Sequence, residues 1–124
     1  MPLVSTSETR AVPVDLVIQQ GADFEHVVSV QNSNGSVFSL VGYSARMQIR
    51  ATKSSALPLL DLTTVNGRLV INGAAGQVTI TLTNAETTLL LFDSGVYDLE
   101  IVSPAAKVSR IIAGNVTVSL EITR

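Results

Sequence analysis

Apolar and polar residues alternate along most of this chain with a period of two, the pattern of strands that bury one face. Val12, Val14, Leu16 and Ile18 alternate with Pro13, Asp15, Val17 and Gln19, and Pro13, which lacks a backbone donor, places this strand at a sheet edge. After Gln20-Gly21-Ala22 a second strand is predicted over 24–31, with Phe24, His26, Val28 and Val30 on one face and Glu25, Val27 and Ser29 on the other. The cleanest alternation covers 44–51, where Ala45, Met47 and Ile49 oppose Arg46, Gln48 and Arg50. A loop over 52–58 follows. Leu60, Leu62 and Thr64 open another strand, Leu69 and Ile71 a return strand, and Val78, Ile80 and Leu82 the next. Strands over 96–102, 108–112 and 115–122 complete the series.

Three Asn-Gly dipeptides (Asn34-Gly35, Asn66-Gly67, Asn72-Gly73) punctuate these strands. Asn-Gly tolerates the left-handed backbone of tight turns, so all three are expected to join hairpins. The one helical signal is Thr83-Asn84-Ala85-Glu86, with the Thr-x-x-Glu spacing of a capping box. It predicts a short helical turn near 84–90 that crosses between sheets. Eight or nine short strands without alternating helices predict an all-β antiparallel sandwich, one domain over 12–124 preceded by an arm over 1–11.

Composition narrows the choice of function. Of the 124 residues 46% are hydrophobic and 15% charged, enough to build a core and too apolar for disorder. A net charge of −2 offers no electrostatic footprint for nucleic acid. The chain contains no cysteine, which removes disulfides and thiolate metal sites. Residues 1–10 show neither the basic start nor the apolar stretch of a signal peptide. The longest apolar run, 89–92, is far short of the ~20 residues of a membrane helix. So little charge beside so much apolar content predicts a surface partly hidden against a partner.

Reactive groups are few. His26 is the only imidazole, and no spacing supplies it with a nucleophile and an orienting carboxylate, so a structural position is preferred. The carboxylates (Asp15, Asp23, Glu25, Asp61, Asp93, Asp98, Glu100) are scattered, with no calcium-loop spacing and no assignable glycosidase pair. No enzyme activity, cofactor or metal is expected. Aromatic residues make up 4% and tryptophan is absent, which supplies stacking sites for sugars poorly. Arg46, Gln48 and Arg50 share one strand face. A solvated outer face explains them, and contact with an acidic partner surface is the alternative.

The stretch Asp93-Ser94-Gly95-Val96-Tyr97-Asp98-Leu99 resembles the Asp-x-Gly-x-Tyr-x-Cys strand of immunoglobulin domains. That resemblance implies a structural corner of Asp93, Gly95 and Tyr97, in which the Tyr97 hydroxyl bonds back to the corner backbone. Leu99 stands where the cysteine would be, so aliphatic packing should close the core.

The order of further motifs extends the likeness. Gln20-Gly21-Ala22-Asp23-Phe24, Leu40-Val41-Gly42-Tyr43 and Ala45-Arg46-Met47-Gln48-Ile49-Arg50 open the series. Val96-Tyr97-Asp98-Leu99-Glu100, Arg110-Ile111-Ile112-Ala113-Gly114 and the closing Val116-Thr117-Val118…Glu121-Ile122-Thr123-Arg124 continue it. Together they resemble small immunoglobulin-like β-sandwich proteins of tailed-phage and prophage tail modules, similar to the N-terminal domain of baseplate upper proteins. The likeness runs from about residue 12 to the C-terminus. Ser39 stands where the family often has Asp, and Ala22 interrupts its Gly-Asp turn; neither is a core position. The resemblance implies a structural virion protein of a tailed bacteriophage, made in the host cytoplasm and placed in the tail or baseplate as a fibre-attachment or adaptor component. Its expected partners are other virion proteins and copies of itself, as a threefold or sixfold homo-oligomer, with no nucleic acid or membrane. The alternatives are a head decoration or cement protein and a host-surface-binding module.

Overall fold

Alternation of burial follows the alternation of the sequence in the computed structural model, which describes residues 11–123 as nine strands and one helical turn. The strands are β1 (Val12–Pro13), β2 (Leu16–Gln19), β3 (Phe24–Ser29), β4 (Ser44–Arg50), β5 (Leu60–Thr63), β6 (Leu69–Asn72) and β7 (Gln77–Leu82). The helical turn α1 (Asn84–Thr88), β8 (Ser94–Val102) and β9 (Val108–Ser119) complete the order. One sheet runs β1-β9-β8-β4-β5, with β2 also on β9, and faces a second sheet, β3-β7-β6. This is an all-β sandwich. The orders β3-β7-β6 and β9-β8-β4 are those of an immunoglobulin-like frame, with β5 added beside β4 and the first strand lying on β9 instead of beside β3. The predicted arm lies outside the described residues except for Ala11.

Inward side chains of both sheets meet in one core, with Met47, Ile49, Leu62, Leu69, Val78, Ile80, Leu99, Ile101 and Ile112 almost inaccessible to water. Leu99, in the position of the immunoglobulin cysteine, is fully buried. Aliphatic packing closes this core, as expected.

Four expectations need correction. The first strand is two short strands, and both run parallel to β9, Val12 beside Ile112 and Leu16 beside Val116. Between them the Val14 N–H donates to the Ala113 carbonyl at 2.9 Å, and Asp15 Oδ1 accepts from the Asn115 N–H at 3.0 Å. Gly114 permits this kink, because a Cβ there would collide with the Val14 carbonyl. Secondly, Gly114 does not divide β9, which is continuous. Thirdly, β9 ends at Ser119 rather than near 122. Lastly, Asn66-Gly67 makes no hairpin: β5 and β6 lie in different sheets, and the turn carries the chain between them. Asn72-Gly73 does begin the β6–β7 hairpin, where Asn72 pairs with Gln77.

The helical turn forms where the capping box predicts it. Thr83 Oγ1 accepts from the Glu86 N–H at 3.2 Å, and Glu86 Oε1 accepts from the Thr83 N–H at 2.9 Å. It carries the chain from β7 across to β8 in the other sheet.

Candidate functional site

The predicted corner residues gather at the start of β8, and their hydrogen bonds reach further than the motif implies. Tyr97 is buried, and its hydroxyl donates to the Val14 carbonyl at 2.6 Å. Its partner is therefore the kink in the first strand, not the corner backbone. The reason is positional: Tyr97 is paired with Gly114, and the kink passes over that glycine. Burial, reinforced by the charge of Asp15, raises the Tyr97 phenol pKa well above its ordinary value. Asp93 is exposed, and its carbonyl accepts from the Val118 N–H at 2.8 Å. Gly95 is needed for close approach, since a Cβ there would lie 2.7 Å from the Arg50 carbonyl oxygen. All three residues hold strands together.

Arg46, Gln48 and Arg50 lie on the outer face of the larger sheet, and each is held within the chain. Arg46 Nε lies 2.8 Å from Glu100 Oε1 on β8. Gln48 Nε2 donates to Asp61 Oδ1 at 3.3 Å. Arg50 donates to the Ser55 carbonyl at 2.8 Å and to Gln48 Oε1 at 2.7 Å. Arg110 pairs with Asp98 at 3.1 Å on the same face. An open concavity of about 690 Å³ lies here, lined by Gln48, Arg50, Lys53, Asp98, Arg110 and Asn115 among others. Arg46, Gln48, Arg50 and Arg110 are all bonded within the chain, so a partner docking on them would have to replace bonds already made.

His26 is half-buried on β3 opposite Ile80. Among the described residues no group of three His, Asp or Glu side chains is placed to hold a metal.

One end of the sandwich has a different character. The turn between β2 and β3, the helical turn and the residues after β9 converge there. Thr87, fully buried, accepts from the Gly21 N–H at 3.0 Å and donates to the Ala22 carbonyl at 2.9 Å. The Gln20 side-chain amide joins two further segments, donating to the Leu90 carbonyl at 3.0 Å and accepting from the Glu121 N–H at 3.0 Å. Gly21 has φ +86°, and a Cβ there would meet the Glu121 carboxylate.

Leu90 turns into the core from this junction, while its neighbours do not: Leu89 is 77% and Leu91 85% exposed. Across the Gln20 amide, Leu120 is 56% and Ile122 92% exposed. Four large aliphatic side chains thus face solvent from two segments joined by one amide. Sequence reasoning found the 89–92 run but not its exposure. It carried the last strand through Leu120 to residue 122. The alternation of Leu120 and Ile122 continues that of Val116 and Val118, but the sheet has ended.

No protein-family model matches the chain, and no curated protein matches it.

Proposed function

We propose that this chain is a structural protein of a tailed-phage virion, a fibre-attachment or adaptor piece of the tail or baseplate that acts by protein–protein assembly. The aliphatic end of Leu89, Leu91, Leu120 and Ile122 carries this reading. Large aliphatic side chains exposed on two joined segments offer apolar surface for a partner to cover. Full burial of such a side chain is worth roughly 1.5–3 kcal/mol, so four supply roughly 6–12 kcal/mol. Association costs roughly 4–15 kcal/mol before any contact is credited. The end therefore suits a contact completed inside a multi-copy structure better than a free pair in dilute solution. A cyclic homo-oligomer closes such contacts, and threefold or sixfold symmetry follows from the family resemblance. The motif order noted above supports the tail or baseplate as the place, and the reading assigns the chain no catalysis.

The double variant Leu91→Asp, Ile122→Asp tests it. Both side chains lie outside the core, so the variant should keep the wild-type denaturation midpoint and be absent from assembled particles. Incorporation at wild-type efficiency would overturn the reading. Immunogold labelling of the wild-type chain on the head rather than the tail would transfer it to the decoration-protein alternative.

A further inference from the structure

Strand β3 is the end strand of its sheet, and its backbone polarity can be read from its neighbours. The Thr81 N–H donates to the Arg68 carbonyl, so on β7 the backbone groups of Gln77, Thr79 and Thr81 face β6. Val78, Ile80 and Leu82 then face β3, where their paired residues are Val28, His26 and Phe24. The Val30 N–H bond to the Gly76 carbonyl at 2.8 Å has the same parity. The N–H and C=O groups of Glu25, Val27 and Ser29 consequently point away from the sheet, and no described strand lies beside them.

The chain's own preceding strand does not fill the place. In a hairpin across residues 20–23, residues 14–19 would lie opposite 24–29, and residues 14–19 run beside β9 instead. The other edges are poorer templates. The edge formed by β1 and β2 is interrupted by Pro13 and the kink, β5 has four residues, and β6 turns only Leu69 and Ile71 outward.

We infer that β3 pairs antiparallel with β3 of a second copy about a two-fold axis at Val27, joining the two small sheets into one of six strands. The strand is self-complementary in this register. Val27 meets Val27 of the second copy, and each Glu25 lies across from a Ser29, so the two carboxylates are not opposed. Glu25, Val27 and Ser29 are the residues whose backbone groups are available, so each pair exchanges both of its N–H···O bonds. On the outer face Val27 and Val70, both about half exposed, form one apolar row across both copies, with Thr79 between them. The contact uses none of the aliphatic-end residues. Self-association that survives Leu91→Asp, Ile122→Asp would separate it from the assembly reading above.

The absence of cysteine makes the test direct. Hydrogen-bonded antiparallel pairs hold Cα atoms about 5.5 Å apart, inside the roughly 4.4–6.8 Å span of a disulfide. Val27→Cys should give a covalent dimer on mild oxidation or with a short bismaleimide. Thr79→Cys, on the same face but one strand further in, should not. Sedimentation equilibrium supplies the second readout. Ser29→Lys places two lysines across from two Glu25 carboxylates and should tighten the dimer by roughly 2- to 30-fold. Ser29→Glu should weaken it by a similar factor. A monomer at every concentration, equal cross-linking at 27 and 79, or the same response to both charges at 29 would overturn the pairing.

Discussion

Replacing Tyr97 with Phe removes one oxygen and leaves the buried ring, so the effect isolates a single hydrogen bond from β8 past β9 to the edge of the same sheet. In the native chain the phenol donates to the Val14 carbonyl at 2.6 Å, in the kink between β1 and β2. The carbonyl is packed over Gly114 and loses its donor in the variant. The net value of the bond is about 1 kcal/mol, and an acceptor left partly unsatisfied adds to it, for a total of about 1–2 kcal/mol. With a urea slope of about 1–3 kcal/mol per molar, the midpoint should fall by roughly 0.3–2 M at unchanged slope. Tyr43→Phe is the control, because Tyr43 is a partly buried ring edge-on to Phe38. Hydrogen exchange gives the location. The Val14 and Asn115 amides, bonded to Ala113 and Asp15, should lose protection before those of β4 and β8. An unchanged midpoint, or equal shifts in Tyr97→Phe and Tyr43→Phe, would refute the argument that this hydroxyl ties the first strand to the sandwich.

Titration gives two further expectations. Burial raises the folded Tyr97 phenol above its unfolded value near 10, so its contribution is complete below that pH and lost as pH rises beyond it; alkaline stability curves should show this loss in the wild type and lack it in Tyr97→Phe. The Thr83 backbone N–H, and next Arg68, hold the Glu86 carboxyl below its ordinary 4.5, so its contribution is present above that value and lost as pH falls below it. Acid unfolding should be shallower in Glu86→Gln, and Thr83→Ala should cost about 1 kcal/mol at neutral pH by calorimetry. Leu99→Ala, which opens a cavity at a fully buried position, should cost about 2–5 kcal/mol in the same measurement.

Local chemistry was legible in the sequence wherever neighbours in the chain decide it. The alternation at 44–51 became β4 with Ala45, Met47 and Ile49 buried, and the Thr83–Glu86 spacing became a capping box. Period two reports which face of a strand is buried, but not which sheet the strand joins. That is why Asn66-Gly67 read as a hairpin and proved to be a crossing between sheets. The kink at Val14–Asp15 was hidden for a related reason, since alternation continues unbroken across it. Its cause, the missing side chain of Gly114, is about a hundred residues away. The Tyr97 hydroxyl illustrates the same limit, because the motif indicates a buried phenol and only the fold chooses its acceptor. Arg46, Gln48 and Arg50 were assigned to one outer face correctly, but their partners Glu100, Asp61 and Ser55 depend on strand order and loop path. The aliphatic end was the least legible feature. Leu120 and Ile122 keep the rhythm of a buried face after β9 itself has ended.

The most direct test of the assembly account is a cryo-electron microscopy reconstruction of particles that carry this chain, at a resolution that places side chains. The account predicts the sandwich in the tail or baseplate, in repeated copies, with Leu89, Leu91, Leu120 and Ile122 buried against a neighbouring subunit. Copies in the tail whose aliphatic end faces open solvent throughout would contradict it.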